Sequence, residues 1–84
     1  MEFQLRIEPK ARKEFEKIPD RFKLRIEVAF AVLRNSPYAG KKLKGRYKGS
    51  YSWRVWPYRI VYRIYNSHVL IVIIGIKHRQ GAYS

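Results

Sequence analysis

Read as hydrophobic and polar positions, the chain changes period twice. From Glu2 to Ile7, Phe3, Leu5 and Ile7 alternate with Glu2, Gln4 and Arg6, the period-two mark of a half-buried strand that joins a sheet. Pro9 then opens a helical stretch, because its missing N–H would have no partner in the first turn of a helix. Ala11, Phe15 and Ile18 recur at i, i+4 and i+7 until Pro19. Asp20 is placed to cap a second helix, in which Phe22, Ile26, Ala29, Phe30 and Leu33 form an apolar stripe. Leu24, Val28 and Val32 are expected to widen that stripe until it can lie on a sheet, and Asn35-Ser36-Pro37 stops it.

The second half returns to period two. After Pro57, Tyr58, Ile60, Tyr62 and Ile64 fall on one face, and Arg59, Val61, Arg63 and Tyr65 on the other. The run Val69 to Ile76 has no polar break, as expected of an interior strand covered on both faces. Asn66 and Ser67 lie between the two runs as turn formers, which predicts an antiparallel hairpin. With a two-residue loop, Tyr65 would face His68 and Arg59 would face Ile74. Tyr38 to Ser50, rich in glycine and lysine, reads as a basic connector. The order strand, helix, helix, three strands predicts one α+β domain over 1–84, with two N-terminal helices packed on one face of a four-stranded antiparallel sheet. The other face of the sheet is left for function.

Charge changes that picture. The chain has 84 residues, with 19 Lys and Arg against 6 Asp and Glu, a formal net charge of +13. All six acids lie at or before Glu27, so positions 1–40 carry 9 basic and 6 acidic groups, while positions 41–84 carry 10 basic groups and no acid. A folded segment with that many uncompensated cations repels itself and is suited to a polyanion or an acidic partner. Nucleic acid is favoured over a membrane, because the basic half reads as strands and not as a basic amphipathic helix. No apolar run is long enough to span a bilayer, and Met1 to Lys10 lacks the apolar stretch of a signal peptide. The absence of cysteine fits a reducing compartment, so a cytoplasmic protein is expected.

The residue palette narrows the chemistry. With no cysteine, no carboxylate after Glu27, and only His68 and His78, the chain is poorly supplied for a Mg²⁺ or Zn²⁺ site, and neither metal nor cofactor is expected. No G-x-S-x-G turn supports a serine triad, and no glycine fingerprint suits a nucleotide phosphate. Arginine, lysine, histidine and tyrosine remain. That set suits RNA cleavage, since RNA carries its own nucleophile in the 2′-hydroxyl. The protein then needs only to hold the phosphate in line, neutralise its developing charge and move two protons. DNA lacks that hydroxyl.

Leu43-Lys44-Gly45, Trp53-Arg54-Val55, Tyr58-Arg59-Ile60-Val61-Tyr62, and an apolar strand ending Lys77-His78-Arg79 with Tyr83 after it, together resemble the RelE/ParE toxin superfamily. The two helices, the Pro37 break and the Leu-Lys-Gly connector fall in the same order, so the resemblance spans nearly the whole chain. It implies a toxin of a type II toxin–antitoxin pair. Catalytic members enter the ribosomal A site and cut mRNA, while ParE-like members share the fold and poison DNA gyrase. Matched residue by residue, the resemblance makes Arg59 the transition-state arginine, Arg79 the arginine after the last strand, and Tyr83 the C-terminal tyrosine that stacks on a base or transfers a proton. His78 adds a titratable group.

The departure lies upstream: where RelE has two lysines, one often assigned as general base, the aligned positions here are about Ser50 and Ser52. Lys44, Arg46, Lys48 and Arg54 are the candidates to substitute. Lys41, Lys42, Lys44, Arg46, Lys48, Arg54, Arg63 and Lys77 are the candidate RNA contacts. The expected partners are a cognate acidic antitoxin, the ribosome with its rRNA, and mRNA. A gyrase-poisoning toxin without nuclease activity, and a non-catalytic basic RNA-binding module, remain the alternatives.

Overall fold

The strand-like and helical segments fold in the order β1 (Gln4–Ile7), α1 (Pro9–Glu16), α2 (Asp20–Asn35), β2 (Lys41–Lys42), β3 (Tyr51–Val55), β4 (Tyr58–Tyr65) and β5 (Leu70–His78). The protein is seen here as a computed structural model that describes residues 2–79. The sheet runs β1-β5-β4-β3-β2, with β1 parallel to β5 and the remaining pairs antiparallel. The α+β class and the two helices on one face are as expected, but the sheet is mixed and has five strands in place of four. Two details account for the difference. The long helical connection lets β1 return beside β5 in the same direction, and the two lysines of β2 are too short a segment to show any period in the sequence.

The core lies between helices and sheet. Ala11, Ile18, Ile26, Ala29, Phe30 and Leu33 from the helical half close over Ile60, Tyr62, Ile71, Ile73 and Ile76. Asp20 makes no side-chain cap. It is the first residue inside α2, where Phe22 and Lys23 donate their backbone N–H to the carbonyl of Pro19, and its carboxylate pairs with Lys23 at 3.6 Å. Leu24, Val28 and Val32 do not widen the buried stripe, being 67%, 58% and 41% exposed. They form a separate apolar ridge at i, i+4, i+8, which lines a groove with Trp53, Val55 and Trp56. Among the described residues no helix is long and apolar enough to cross a membrane.

The β4–β5 hairpin departs from the simplest reading in two ways. Its connection runs from Asn66 to Val69, with Asn66–His68 in a 3₁₀ turn and Val69 left-handed at φ 49°, so Tyr65 faces Leu70. A bulge then interrupts the ladder beside Val61 and Tyr62, with Tyr62 opposite Ile73 but Val61 opposite Gly75. Arg59 consequently faces Lys77, not Ile74. An extra residue reverses the alternation beyond it. Ile71 and Ile73 point to the helices before the bulge and Ile76 after it, while Gly75 and Lys77 pass to the open face. Among the described residues no second layer covers that face, and Val72 and Ile74 are only half-buried on it, unlike the fully covered strand that the sequence suggests.

Candidate nucleic-acid interface

Cross-strand register builds the open face in rows. Ser52, Val61 and Gly75 form the middle row, all of them buried. Ser50 lies alongside, 1% exposed, and its Oγ accepts a hydrogen bond from Nε of Arg63 at 3.3 Å. These are the smaller side chains of the open face, and they form a floor covered by their longer neighbours. Next to it runs the row Arg54, Arg59 and Lys77, one cation from each of β3, β4 and β5. Like charges directly opposite on adjacent strands are unfavourable; in this row Arg54 and Arg59 face each other across the β3–β4 ladder, while Lys77 is compensated by a helical carboxylate.

Lys77 is oriented by an acid from the helical half. Its Nζ lies 2.7 Å from Oε2 of Glu14, and Oε1 of the same carboxylate accepts the backbone N–H of Ile76 at 3.0 Å. The ladder explains the position. β1 pairs with β5 only from Leu70 to Ile73, and beyond that point Glu14 covers the uncovered edge. Nothing in the periodicity of α1 marks Glu14 out, since it occupies a polar position of an amphipathic helix.

The other candidates fall in three places. His78 is on the helix side of β5, its ring edge-on to Tyr58 at 5.4 Å, and Tyr58 in turn is edge-on to Phe22 of α2 at 5.6 Å, so alternation sets His78 and Arg59 on opposite faces. Arg79 follows the strand end, donating its backbone N–H to the Pro57 carbonyl at 2.8 Å with its guanidinium 5.0 Å from the ring centre of Trp56, which is half exposed. Tyr83 lies outside the described residues. Lys41 and Lys42 form the exposed edge strand β2, and Lys44, Arg46 and Lys48 are exposed along the connector behind it. Of the four residues named as substitutes for the absent lysines, Arg54 alone stands directly across from Arg59. Ser50 and Ser52 sit on the floor beside that pair, where a longer side chain would project onto the same face.

Tyr62 serves the scaffold. Fully buried, it donates its hydroxyl to the carbonyl of Pro37 at 2.7 Å and accepts the backbone N–H of Gly40 at 3.2 Å, pinning the turn that follows α2. Any side chain at position 40 would collide with that hydroxyl. Burial pushes the phenol up from 10 to about 12, opposed in part by the Gly40 hydrogen bond, so it holds its proton at neutral pH.

Two helices laid on one face of a strongly basic mixed sheet, with a row of cations across the other, define a small toxin-like α+β domain. Residues 5–83 match the family described as ParE toxin of type II toxin–antitoxin system, parDE, and the chain belongs to that family. It is 34% identical to Toxin RelG of Mycobacterium tuberculosis over 99% of this chain and 98% of that protein, and 30% identical to Toxin RelE of the same organism over 96% and 86%. Among solved structures it is similar to the RelBE2 toxin–antitoxin complex of M. tuberculosis, with a TM-score of 0.86, 33% identity and coverage of 94% of this chain and 100% of that one. The archaeal RelE–RelB complex of Pyrococcus horikoshii shares the fold at a TM-score of 0.82 and 23% identity, over 98% of this chain and 100% of that one.

Proposed function

We propose that this toxin is a metal-independent, ribosome-dependent mRNA endoribonuclease that stops translation in the cytoplasm. The observation that carries the reading is the row Arg54, Arg59 and Lys77 beside a floor of buried small residues, a surface fitted to a phosphodiester. The 2′-oxygen of the bound ribose attacks the adjacent phosphorus as its proton leaves to a base. The bond from phosphorus to the 5′-oxygen breaks, and that oxygen takes a proton. The products are a 2′,3′-cyclic phosphate and a 5′-hydroxyl end. Arg59 donates to the non-bridging oxygens where charge develops, with Arg54 across the ladder beside it. Arg79 and Tyr83, supplied by the C-terminal segment, are assigned to charge neutralisation and to base stacking or proton transfer. Arg63 and the lysines Lys41, Lys42, Lys44 and Lys48, with Arg46, hold RNA backbone.

The similar M. tuberculosis structure is itself a toxin–antitoxin complex, and the partner in this reading is a cognate acidic antitoxin. Its acids would cover the cationic row. Its apolar side chains would meet the ridge Leu24, Val28 and Val32, which is bordered by Arg25 and Arg54.

Primer extension on ribosomes translating a defined message, with and without the toxin, tests the reading. The expected result is cuts within the translated frame that end in cyclic phosphate and disappear with Arg59→Ala. The alternative outcome, an intact message with stalled gyrase, would make this a gyrase poison.

A further inference from the structure

Away from the arginine face the molecule has a second basic surface of different character. A cleft of about 760 Å³ opens between the end of the sheet and the lysine-rich connector, lined by Tyr38, Lys42, Lys44, Lys48, Tyr51 and Asn66 among others. Tyr51 faces the helix side, since it pairs with Tyr62, so the cleft lies on the opposite side of the sheet from Arg59. No carboxylate lines it.

Its aromatic wall is rigid although exposed. Tyr38 is 52% exposed, yet it stands in the 3₁₀ turn Pro37–Ala39, which Tyr62 pins from below. Its ring is edge-on to Tyr51 at 5.9 Å, and Tyr51 is stacked on Tyr62 at 5.7 Å with an interplanar angle of 23°. An aromatic ring held in this way loses little freedom when a flat ligand stacks on it. The opposite wall is cationic and shaped by backbone: Gly45 and Gly49 take φ of 68° and 91°, which bend the connector so that Lys44 and Lys48 come to the same cleft as Lys42. Asn66 adds an amide able both to donate and to accept. A stacking ring, several cations and one two-way amide in a cleft of ligand size are the parts that hold an unpaired nucleotide.

We propose that this cleft binds one unpaired nucleotide of an RNA strand, with its base on Tyr38, its phosphates at Lys42, Lys44 and Lys48, and its base edge at Asn66. The inference rests on the RNA reading of the toxin and adds to it a second, non-catalytic contact. The exposed phenol and the amide favour a base over an acidic peptide, which would use the lysines and leave Tyr38 without a role.

Fluorescence anisotropy of the full-length toxin with a labelled oligouridylate tests it, beside an abasic strand of equal length and an oligoglutamate of equal charge. Tyr38→Ala is expected to weaken oligouridylate binding about tenfold, Tyr38→Phe to restore it, and the abasic strand to bind weakly and without regard to Tyr38. Lys44→Gln with Lys48→Gln should lower the salt slope by about 1–2, and this holds as a test even if Tyr38→Ala disturbs the turn. Arg59→Ala should abolish cleavage and leave the Tyr38 dependence intact, which separates this inference from the catalytic one. Equal binding by parent and Tyr38→Ala, or by oligouridylate and abasic strand, overturns it. So does oligoglutamate binding that is tighter than RNA and lost in Tyr38→Ala, since the cleft would then belong to an acidic protein segment.

Discussion

Glu14 of α1 holds Lys77 of β5 by a 2.7 Å ion pair and, through its other oxygen, the backbone N–H of Ile76, so one helical carboxylate both closes the sheet edge and compensates a cation of the open face. The two roles separate by substitution. Glu14→Gln keeps an acceptor for Ile76 and frees the Lys77 ammonium, so it should stay folded and bind RNA more tightly, with a steeper salt dependence. Glu14→Ala leaves the Ile76 N–H without its acceptor and should cost about 1–3 kcal/mol in a urea melt. Equal stability of the two variants would show that the edge hydrogen bond contributes nothing.

Arg59 and Tyr62 lie three residues apart on one strand and face opposite ways. Arg59→Ala removes a side chain from the open face, so stability should change by no more than about 0.5 kcal/mol while single-turnover cleavage falls by about 10²–10³. Tyr62→Ala should do the reverse, losing roughly 3–5 kcal/mol from the core. An Arg59→Ala protein that melts far below the parent would make this arginine structural.

Tyr62→Phe isolates the hydroxyl. The ring remains, but the buried Pro37 carbonyl and the Gly40 N–H lose their partner, at a cost of about 1–3 kcal/mol. The pH dependence has a definite sign. The folded phenol titrates near 12 and the unfolded one near 10, so its neutral form stabilises the fold fully below pH 10, and that contribution is lost as pH rises through 12. Denaturation midpoints followed across this range should fall in the parent more steeply than in Tyr62→Phe.

Val69 takes the left-handed conformation at φ 49°, which a β-branched side chain occupies at a cost of roughly 1–2 kcal/mol. Its carbonyl accepts the backbone N–H of Gln4, so the conformation is tied to the docking of β1. Val69→Asn should raise the melting temperature without changing RNA affinity. A lower melting temperature would show that the half-buried isopropyl group outweighs the backbone term.

The apolar ridge gives a prediction about the antitoxin. Val28 is well exposed, so Val28→Glu should fold as the parent does and still cut RNA, yet lose neutralisation by the co-expressed antitoxin. Unchanged neutralisation would confine the antitoxin to the cationic face.

Periodicity was enough to identify four of the five strands, both helices and the face of β4 that carries Arg59, because each is a local pattern repeated over several turns or pleats. The resemblance to the RelE/ParE toxins was equally legible, from the order of the motifs along the chain. What only the tertiary structure decided are relations between segments distant in sequence. The side chain of Glu14 meets Lys77 because β1 stops short of β5. Lys77 joins Arg59 because a single bulge reverses the alternation, and one extra residue in a run of isoleucines leaves no mark on hydropathy. Leu24, Val28 and Val32 look like core in a helical projection, yet they are left outside because α2 meets the sheet along a narrower stripe than the helix offers. His78 and Lys77 are neighbours in the chain but point to opposite faces of the sheet, since side chains alternate along a strand and the register that carries them is set by contacts the sequence does not spell out locally.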